Sequence, residues 1–351
     1  MCNLEDSFIM SHEQILQQMR QQAQGALSLN IAFIGVTQEL FETLARLEQA
    51  SVTELAKQSS RDPGYLKRWC DAAFAFGYLE QQNQKFSLTE LGHLMRPSHP
   101  QTLMSMAIQS VLSAHMAERA ASLMSMGERP GESVLAERPT ILPWFGAMIE
   151  SGFARLFEDM IIPGVPAFAD VDQRGGLAVD LGCGNGWYLR ALAKRCSHLR
   201  GLGIDGFAAN IQQAEEHTRQ AGLQDRVSFR TGDLLQLRLD EPADLMAMNR
   251  ALHHVWEQGL DHLLPWMKHN LKPGGYIVIW EPAWPTDPLA LGQPQYRTMA
   301  FQNLSEHVQG NHFLQPEEIR NAFESAGLPA QTYLFQNGLE CITVARKPPT
   351  A

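Results

Sequence analysis

The sequence predicts an α/β domain of the nucleotide-binding kind in the C-terminal half of the chain, behind a helical N-terminal part. Three observations carry that prediction. The first is the segment Gly176-Leu-Ala-Val-Asp180-Leu-Gly182-Cys-Gly184-Asn-Gly186-Trp187. A short apolar run ends in an acid and a glycine-rich turn follows. Leu189, Leu192 and Cys196 then recur at helical spacing. A strand, turn and helix in that order let the backbone approach a ligand and offer it unpaired N–H groups. The second is Leu202-Gly-Ile204-Asp205, a strand that again ends in an acid, about twenty residues on. The third is the turn Leu271-Lys-Pro273-Gly274-Gly275, which opens the strand Tyr276-Ile-Val-Ile-Trp280.

Spacing selects the ligand. A dinucleotide fingerprint requires a third glycine where Trp187 stands. Asp180, before the first glycine, repels a pyrophosphate and attracts the ammonium of a bound amino acid. Asp205, followed by Gly206, can accept both hydroxyls of a ribose. A strand from Val227 ends in Gly232-Asp233-Leu234, which suits an adenine amino group. Glycines that served packing alone would leave three strand-end acids unexplained.

These features, in order and in register, resemble the class I S-adenosylmethionine-dependent methyltransferases over residues 175–345. The resemblance implies a Rossmann-like, seven-stranded α/β domain with S-adenosylmethionine as cofactor. It implies cofactor contacts from Asp180, Gly182, Gly184, Asp205, Gly206, Asp233, Leu234, Asn249 and Arg250, the last at a family lysine position.

Composition sets bounds. A chain of 351 residues with 44% hydrophobic content can bury a sizeable core and is expected to hold two domains. A formal net charge of −10 repels phosphate backbones, so bulk nucleic-acid binding is disfavoured. The five cysteines form no Cys-x-x-Cys pair, which argues against a zinc site or disulfide framework and suits a reducing cytosol. No run approaches the ~18 apolar residues of a membrane span, and no secretory pattern opens the chain. Met10 begins Met-Ser-His-Glu and reads as an alternative start, leaving the first nine residues outside the fold.

Along the N-terminal part, residues 11–30 are glutamine-rich helix formers, and Ile31 to Leu47 is amphipathic. Ser51-Val-Thr-Glu54 reads as a capping box, and Asp62-Pro63-Gly64 as a helix start. Two short strands around the polar tip 81–84 then make a wing. The pattern resembles the winged-helix domain of many small-molecule O-methyltransferases, which implies dimerisation rather than DNA binding. Residues 35–96 carry seven basic against eight acidic side chains, a poor match to a DNA-reading surface. Ile31, Phe33, Ile34, Leu40 and Phe41 supply more apolar surface than one such domain buries, so a homodimer is expected. Residues 101–165, with methionines at 104, 106, 116, 124, 126, 148 and 160, read as a helical cap over the acceptor. Pro163 to Gly176 reads as a linker. The expected domains are therefore 11–100, 101–165 and 166–351.

The chemistry is expected where the fourth strand, Asp244 to Met248, runs into Asn249-Arg250-Ala-Leu-His253-His254-Val-Trp256. In the O-methyltransferase pattern a catalytic His lies two residues before a Trp. Registering on Trp256 makes His254 that residue, with Glu281 flanking and orienting it. An imidazole, with an ordinary pKa near 6.5, is a suitable base for taking a proton from an acceptor hydroxyl. The family's second flanking acid should precede the helix from Pro316, but His312 and Phe313 stand there. His253 as base, or no histidine base, stays open, because Leu-His-His-Val also occurs in methyltransferases of carbon acceptors. No metal is expected, since adjacent helical residues point ~100° apart and no further ligand has metal spacing.

The resulting expectation is a cytosolic, homodimeric methyltransferase acting on a small apolar or aromatic molecule, at oxygen. The alternatives are C-methylation of a quinone-like or polyketide acceptor, a cofactor-sensing DNA-binding regulator, and a cofactor-binding protein that has lost methyl transfer.

Overall fold

A computed structural model describes residues 11–234 and 237–349; the first nine residues, read as a possible extension, lie outside the described residues. The chain divides into two compact units, one up to Ala114 and one from His115.

The first unit opens with a 26-residue helix, α1 (His12–Thr37), capped by Ser11 and Gln14 in a capping box. It extends through the glutamine-rich stretch and breaks where Glu39 takes a left-handed φ of 56°. Then come α2 (Leu40–Leu47), α3 (Val52–Ser59), α4 (Pro63–Ala75) and a hairpin of β1 (Leu79–Gln82) and β2 (Lys85–Leu88). The Ser51–Glu54 capping box forms as read, and Asp62 caps α4 with Pro63 in its first turn. The wing is tighter than expected. Its tip is only Asn83-Gln84, both at positive φ, the geometry of a two-residue hairpin turn. Next follow α5 (Glu90–Leu94) and α6 (Met104–Leu123), which runs across the division between the units. The core gathers on Phe41, edge-on to Trp69 at 5.5 Å. Of the expected apolar surplus, Ile34 is exposed but Leu40 and Phe41 are buried; Ile15, Leu16, Met19 and Leu27 on α1 are exposed instead.

The second unit continues with α7 (Ser133–Ala136), α8 (Phe145–Leu156), α9 (Ile162–Gly164) and α10 (Pro166–Gln173). The segment read as a linker therefore holds a packed helix. Ala167 and Phe168 stand one turn before Val171, and all three are buried.

A doubly wound sheet follows, with strands β3 (Leu177–Leu181), β4 (Arg200–Asp205), β5 (Val227–Thr231), β6 (Ala243–Asn249), β7 (Leu271–Pro282), β8 (Ala330–Phe335) and β9 (Glu340–Arg346). Their order is β5-β4-β3-β6-β7-β9-β8, parallel except for β9. Helices α11 (Trp187–Arg195), α12 (Ala208–Gln220), α13 (Leu252–Asn270), α14 (Arg297–Gln309) and α15 (Pro316–Ser325) complete the unit. Strand β3 is buried along its whole length. That is why its sequence is a continuous apolar run broken only by Asp180. Two core clusters cover the faces, one around Phe157, Phe168 and Trp187, the other around Leu263, Ile277 and Ile319.

Candidate functional site

Strand β3 lies between β4 and β6, so the loops leaving these three strands share one edge of the sheet, where ligands bind in open α/β folds. The loop after β3 needs its glycines. Gly182, Gly184 and Gly186 hold φ values of 76°, 52° and 75°. A Cβ on Gly186 would also stand 2.6 Å from the Phe229 ring. The N–H groups of Gly182 and Cys183 donate to the Ile204 carbonyl at 2.8 and 3.1 Å. Gly184 N–H donates to Asp205 Oδ2 at 2.9 Å. The loop is thus pinned to the end of β4.

Asp180 is 1% exposed, and its Oδ1 has no hydrogen-bond partner among the described residues. Burial, and then the charge of Asp205, push its carboxyl up to about 8. An unpaired buried polar atom costs about 1–3 kcal/mol, a cost that a ligand cation or donor removes. Asn249 Oδ1, at the end of β6, is likewise buried and unpaired. These orphaned oxygens fit the ammonium and hydroxyl groups of the cofactor implied above.

Asp205 is more occupied than expected. Besides Gly184, it accepts from Phe207 N–H at 2.9 Å and Asn210 Nδ2 at 3.1 Å, so it organises the loop. Gly206 follows it and is exposed. Gly232 N–H donates to the Asp205 carbonyl at 3.0 Å, which brings the end of β5 to this edge. There Asp233 is exposed and Leu234 packs onto the second core cluster.

Arg250, expected at the cofactor, also makes contacts within the protein. At a left-handed φ of 53°, it turns its guanidinium to Glu340 at 2.7 Å and over the Phe153 ring at 4.2 Å. Glu340 also accepts from Trp280 Nε1 at 2.7 Å. The Arg250 charge is held by protein groups.

The histidine pair is where the structure corrects the sequence most. Glu281 does not flank His254; it holds His253. Its Oε1 accepts the N–H groups of Leu252 and His253 at the start of α13, and its Oε2 lies 2.7 Å from His253 Nδ1. One residue along a helix turns a side chain by ~100°. Counting back from Met267 in steps of three and four reaches Leu263, Leu260, Trp256 and His253. His253 is therefore on the inward face, and His254 is not. The burial of Leu252, His253, Leu263 and Met267 follows that stripe.

The second acid, absent before the α15 helix, comes from elsewhere. Glu306 on α14 places Oε2 3.6 Å from His253 Nε2. No short motif marks it. Phe313 packs edge-on to the His253 ring at 5.5 Å. Burial opposes a charge on His253, but Glu281 by charge and hydrogen bond, and Glu306 after it, raise its pKa to about 10. Burial likewise works to raise Glu281 and Glu306, and His253 overrides it, so both lie below the usual carboxylate range.

His254 faces outward. Its Nδ1 lies 3.0 Å from Glu132 Oε1 and 2.8 Å from Asn311 Nδ2. It lines a cavity of about 480 Å3 with Arg129, Glu132, Glu257, Gln258 and Asn311. His312 pairs with Glu257 at 3.6 Å and stands apart from the His253 cluster. Ligand-capable atoms of His253, His254 and Glu306 lie within 4.8 Å of one another, a grouping the sequence reading did not anticipate. Glu281 lies on Nδ1 of His253 and Glu132 on Nδ1 of His254.

Comparisons with known proteins fall on the same domain. Residues 178–275 match the family model described as a methyltransferase domain. The chain is 31% identical over 105 residues to aclacinomycin 10-hydroxylase RdmB of Streptomyces purpurascens, covering 30% of this chain and 28% of that one. It spans about half or less of the length of the first curated relatives it matches. An O-methyltransferase family protein from Burkholderia thailandensis superposes with a TM-score of 0.71 at 16% identity, covering 97% of this chain and 100% of that one. Human N-acetylserotonin methyltransferase, solved with S-adenosylmethionine, gives a TM-score of 0.68 at 20% identity, covering 99% and 100%. Residues 178–275 are thus a methyltransferase domain. The chain as a whole has the fold of the small-molecule O-methyltransferases, a Rossmann-like domain behind an N-terminal helical one.

Proposed function

We propose that the protein is an S-adenosylmethionine-dependent methyltransferase that acts on a hydroxyl oxygen of a small molecule, with His253 as the base. The observation that carries this reading is the fixed His253 ring, held at Nδ1 by Glu281 with Nε2 turned toward Glu306, on the sheet edge that also holds the Asp180–Asp205 loop.

S-adenosylmethionine supplies a methyl group on a positively charged sulfur. Asp180 and the 182–186 loop hold the ammonium end, Asp205 the ribose, and Asp233 with Leu234 the adenine. Glu281 keeps the proton on Nδ1 of His253, so Nε2 carries the lone pair that takes the hydroxyl proton. Glu281 and Glu306 then stabilise the imidazolium. His254 and Glu132 line the opening to the acceptor side. The test is incubation with S-adenosylmethionine and a panel of phenols and quinols, with detection of S-adenosylhomocysteine. Cofactor turnover only with hydroxyl-bearing acceptors is the expected result.

The base assignment fixes a pH dependence. The neutral form of His253 is the active one, and its pKa in the free protein is about 10. The ratio kcat/KM therefore rises as pH increases from neutrality toward 10. A profile that is flat above pH 7 would remove His253 as the base.

The relative named a hydroxylase favours a second reading, in which the same fold binds cofactor but does not methylate oxygen. Product analysis separates the two, and C-methylation of a quinone-like or polyketide acceptor with them. A DNA-binding regulator is disfavoured because Lys67 on α4 is paired with Asp71 on the same helix. A gel shift at low salt tests it.

The N-terminal unit is proposed as a winged-helix dimerisation domain of a protein working in the cytosol. Ile15, Met19 and Leu27 recur at helical spacing along one exposed side of α1, a stripe that a second copy would cover. No described helix is long and apolar enough to cross a membrane. A two-fold dimer burying more than ~2,000 Å² is expected. Light scattering at micromolar concentration should give twice the chain mass, and a monomer would contradict the assignment.

A further inference from the structure

Helix α8 presents three residues at positions i, i+4 and i+7 to the ligand edge of the sheet: Gly146, Glu150 and Phe153. Each touches one arm of the cleft described above. Gly146 lies against Asn185 in the glycine-rich loop so closely that a Cβ there would stand 2.8 Å from the Asn185 side chain. Glu150 reaches the same loop. Its Oε2 accepts from Asn185 Nδ2 at 3.0 Å, and both its oxygens accept from Arg190 Nη2, at 2.9 and 2.8 Å. Arg190 in turn donates to the Asn185 carbonyl, and Asn185 Oδ1 accepts from Trp187 N–H at 3.3 Å. Asn185 and Arg190 are 1% and 5% exposed, so Glu150, itself partly exposed, reaches in to two buried partners. Phe153 meets the other arm, carrying Arg250 on its face and lying edge-on to Trp280 at 5.7 Å.

We infer that α8 is a strap that sets the positions of the two arms of the cofactor cleft, and that Glu150 is the positioning residue through which it holds the glycine-rich loop. The inference rests on the proposed cofactor reading for its consequence, though not for its geometry. Glu150 joins a helix on the acceptor side to a loop on the cofactor side. Removing it leaves the Arg190 cation buried without its partner and frees the Asn185 side chain. The loop amides then lose the arrangement that meets the cofactor's amino-acid end. Gly146 acts in the same sense, since any side chain there lifts α8 off the loop.

The same helix supplies a control. Gly152 is exposed, and a Cβ on it meets nothing within 4 Å. Gly146→Ala and Gly152→Ala are one chemical change at two places on α8. Two quantities are read in each variant and in Glu150→Ala: affinity for S-adenosylhomocysteine by calorimetry, and amide hydrogen exchange at residues 182–186 in the ligand-free protein. Gly146→Ala and Glu150→Ala should each weaken binding by about tenfold or more and speed exchange in the loop. Gly152→Ala should change neither. In turnover, KM for S-adenosylmethionine should rise with kcat little altered, a split that general loss of structure would not give. Glu150→Gln, which keeps size but not charge, replaces the alanine variant if that one loses its cooperative melt. Wild-type values in both Gly146→Ala and the Glu150 variant would overturn the inference and leave the cofactor reading intact. Faster loop exchange in a protein whose wild type does not bind S-adenosylhomocysteine would support the strap and remove the cofactor reading.

Discussion

Replacing His253 with alanine should lower turnover by about 10²–10⁴-fold, the usual range for a general base, with little change in cofactor affinity. The ring is held at Nδ1 by Glu281 and faces Glu306 through Nε2, so its removal deletes the proton acceptor and takes the imidazole away from two buried carboxylates. For that reason His253→Gln belongs beside the alanine variant as a check on folding. Glu281→Gln should give a smaller loss, since the amide still accepts the N–H groups of Leu252 and His253 but no longer stabilises the imidazolium. His254→Ala is the decisive comparison. If His253 is the base, this variant loses less activity, because His254 touches Glu132 and Asn311 at the cavity rather than the Glu281 pair. A larger loss in His254→Ala than in His253→Ala would reverse the assignment.

Asp205→Ala should weaken S-adenosylmethionine binding about ten- to a hundredfold, from the loss of hydrogen bonds to a charged group at roughly 1.5–3 kcal/mol. The structure adds a reason beyond the ribose. The carboxylate also fixes Gly184, Phe207 and Asn210, so the variant loosens the loop that meets the other end of the cofactor. Asp205→Asn should fall between wild type and alanine. Its amide oxygen can still take one of those bonds, but its NH2 group opposes the remaining donors. Calorimetry giving equal affinity for wild type and Asp205→Ala would remove Asp205 from the cofactor site.

The α/β domain was legible because its signals are local. The acids that end β3 and β4 and the loop glycines sit within a few residues of the strands they terminate. The capping box at Ser51 and the helix start at Pro63 were legible for the same reason. What the sequence hid was set by tertiary contacts. The partner of Glu281 depended on a one-residue register at the start of α13, where a Trp-based count and the buried stripe disagree. Glu306 arrives from a different helix, so no spacing around the α15 start could reveal it. The pairing of Arg250 with Glu340, ninety residues later, had no local signal either. The helix in the supposed linker was masked by its proline, glycine and aspartate content, although Ala167, Phe168 and Val171 carried the period. The exposed apolar face of α1 was placed too late in the chain, because the burial of Phe41 comes from its packing against Trp69 and Tyr78.

The central claim is that the cleft beside Asp180 and Asp205 binds S-adenosylmethionine. Asp180, with its pKa near 8, is largely protonated at pH 7. The ammonium of a bound cofactor favours its ionised form, so binding should release a proton below pH 8 and tighten as pH rises toward that value. The direct measurement is a calorimetric titration of S-adenosylhomocysteine at pH 7 in two buffers of different ionisation heat, on wild type and on Asp180→Asn. One binding event per chain is expected, with a proton released by wild type that the variant does not release. Absence of any binding in wild type would contradict it.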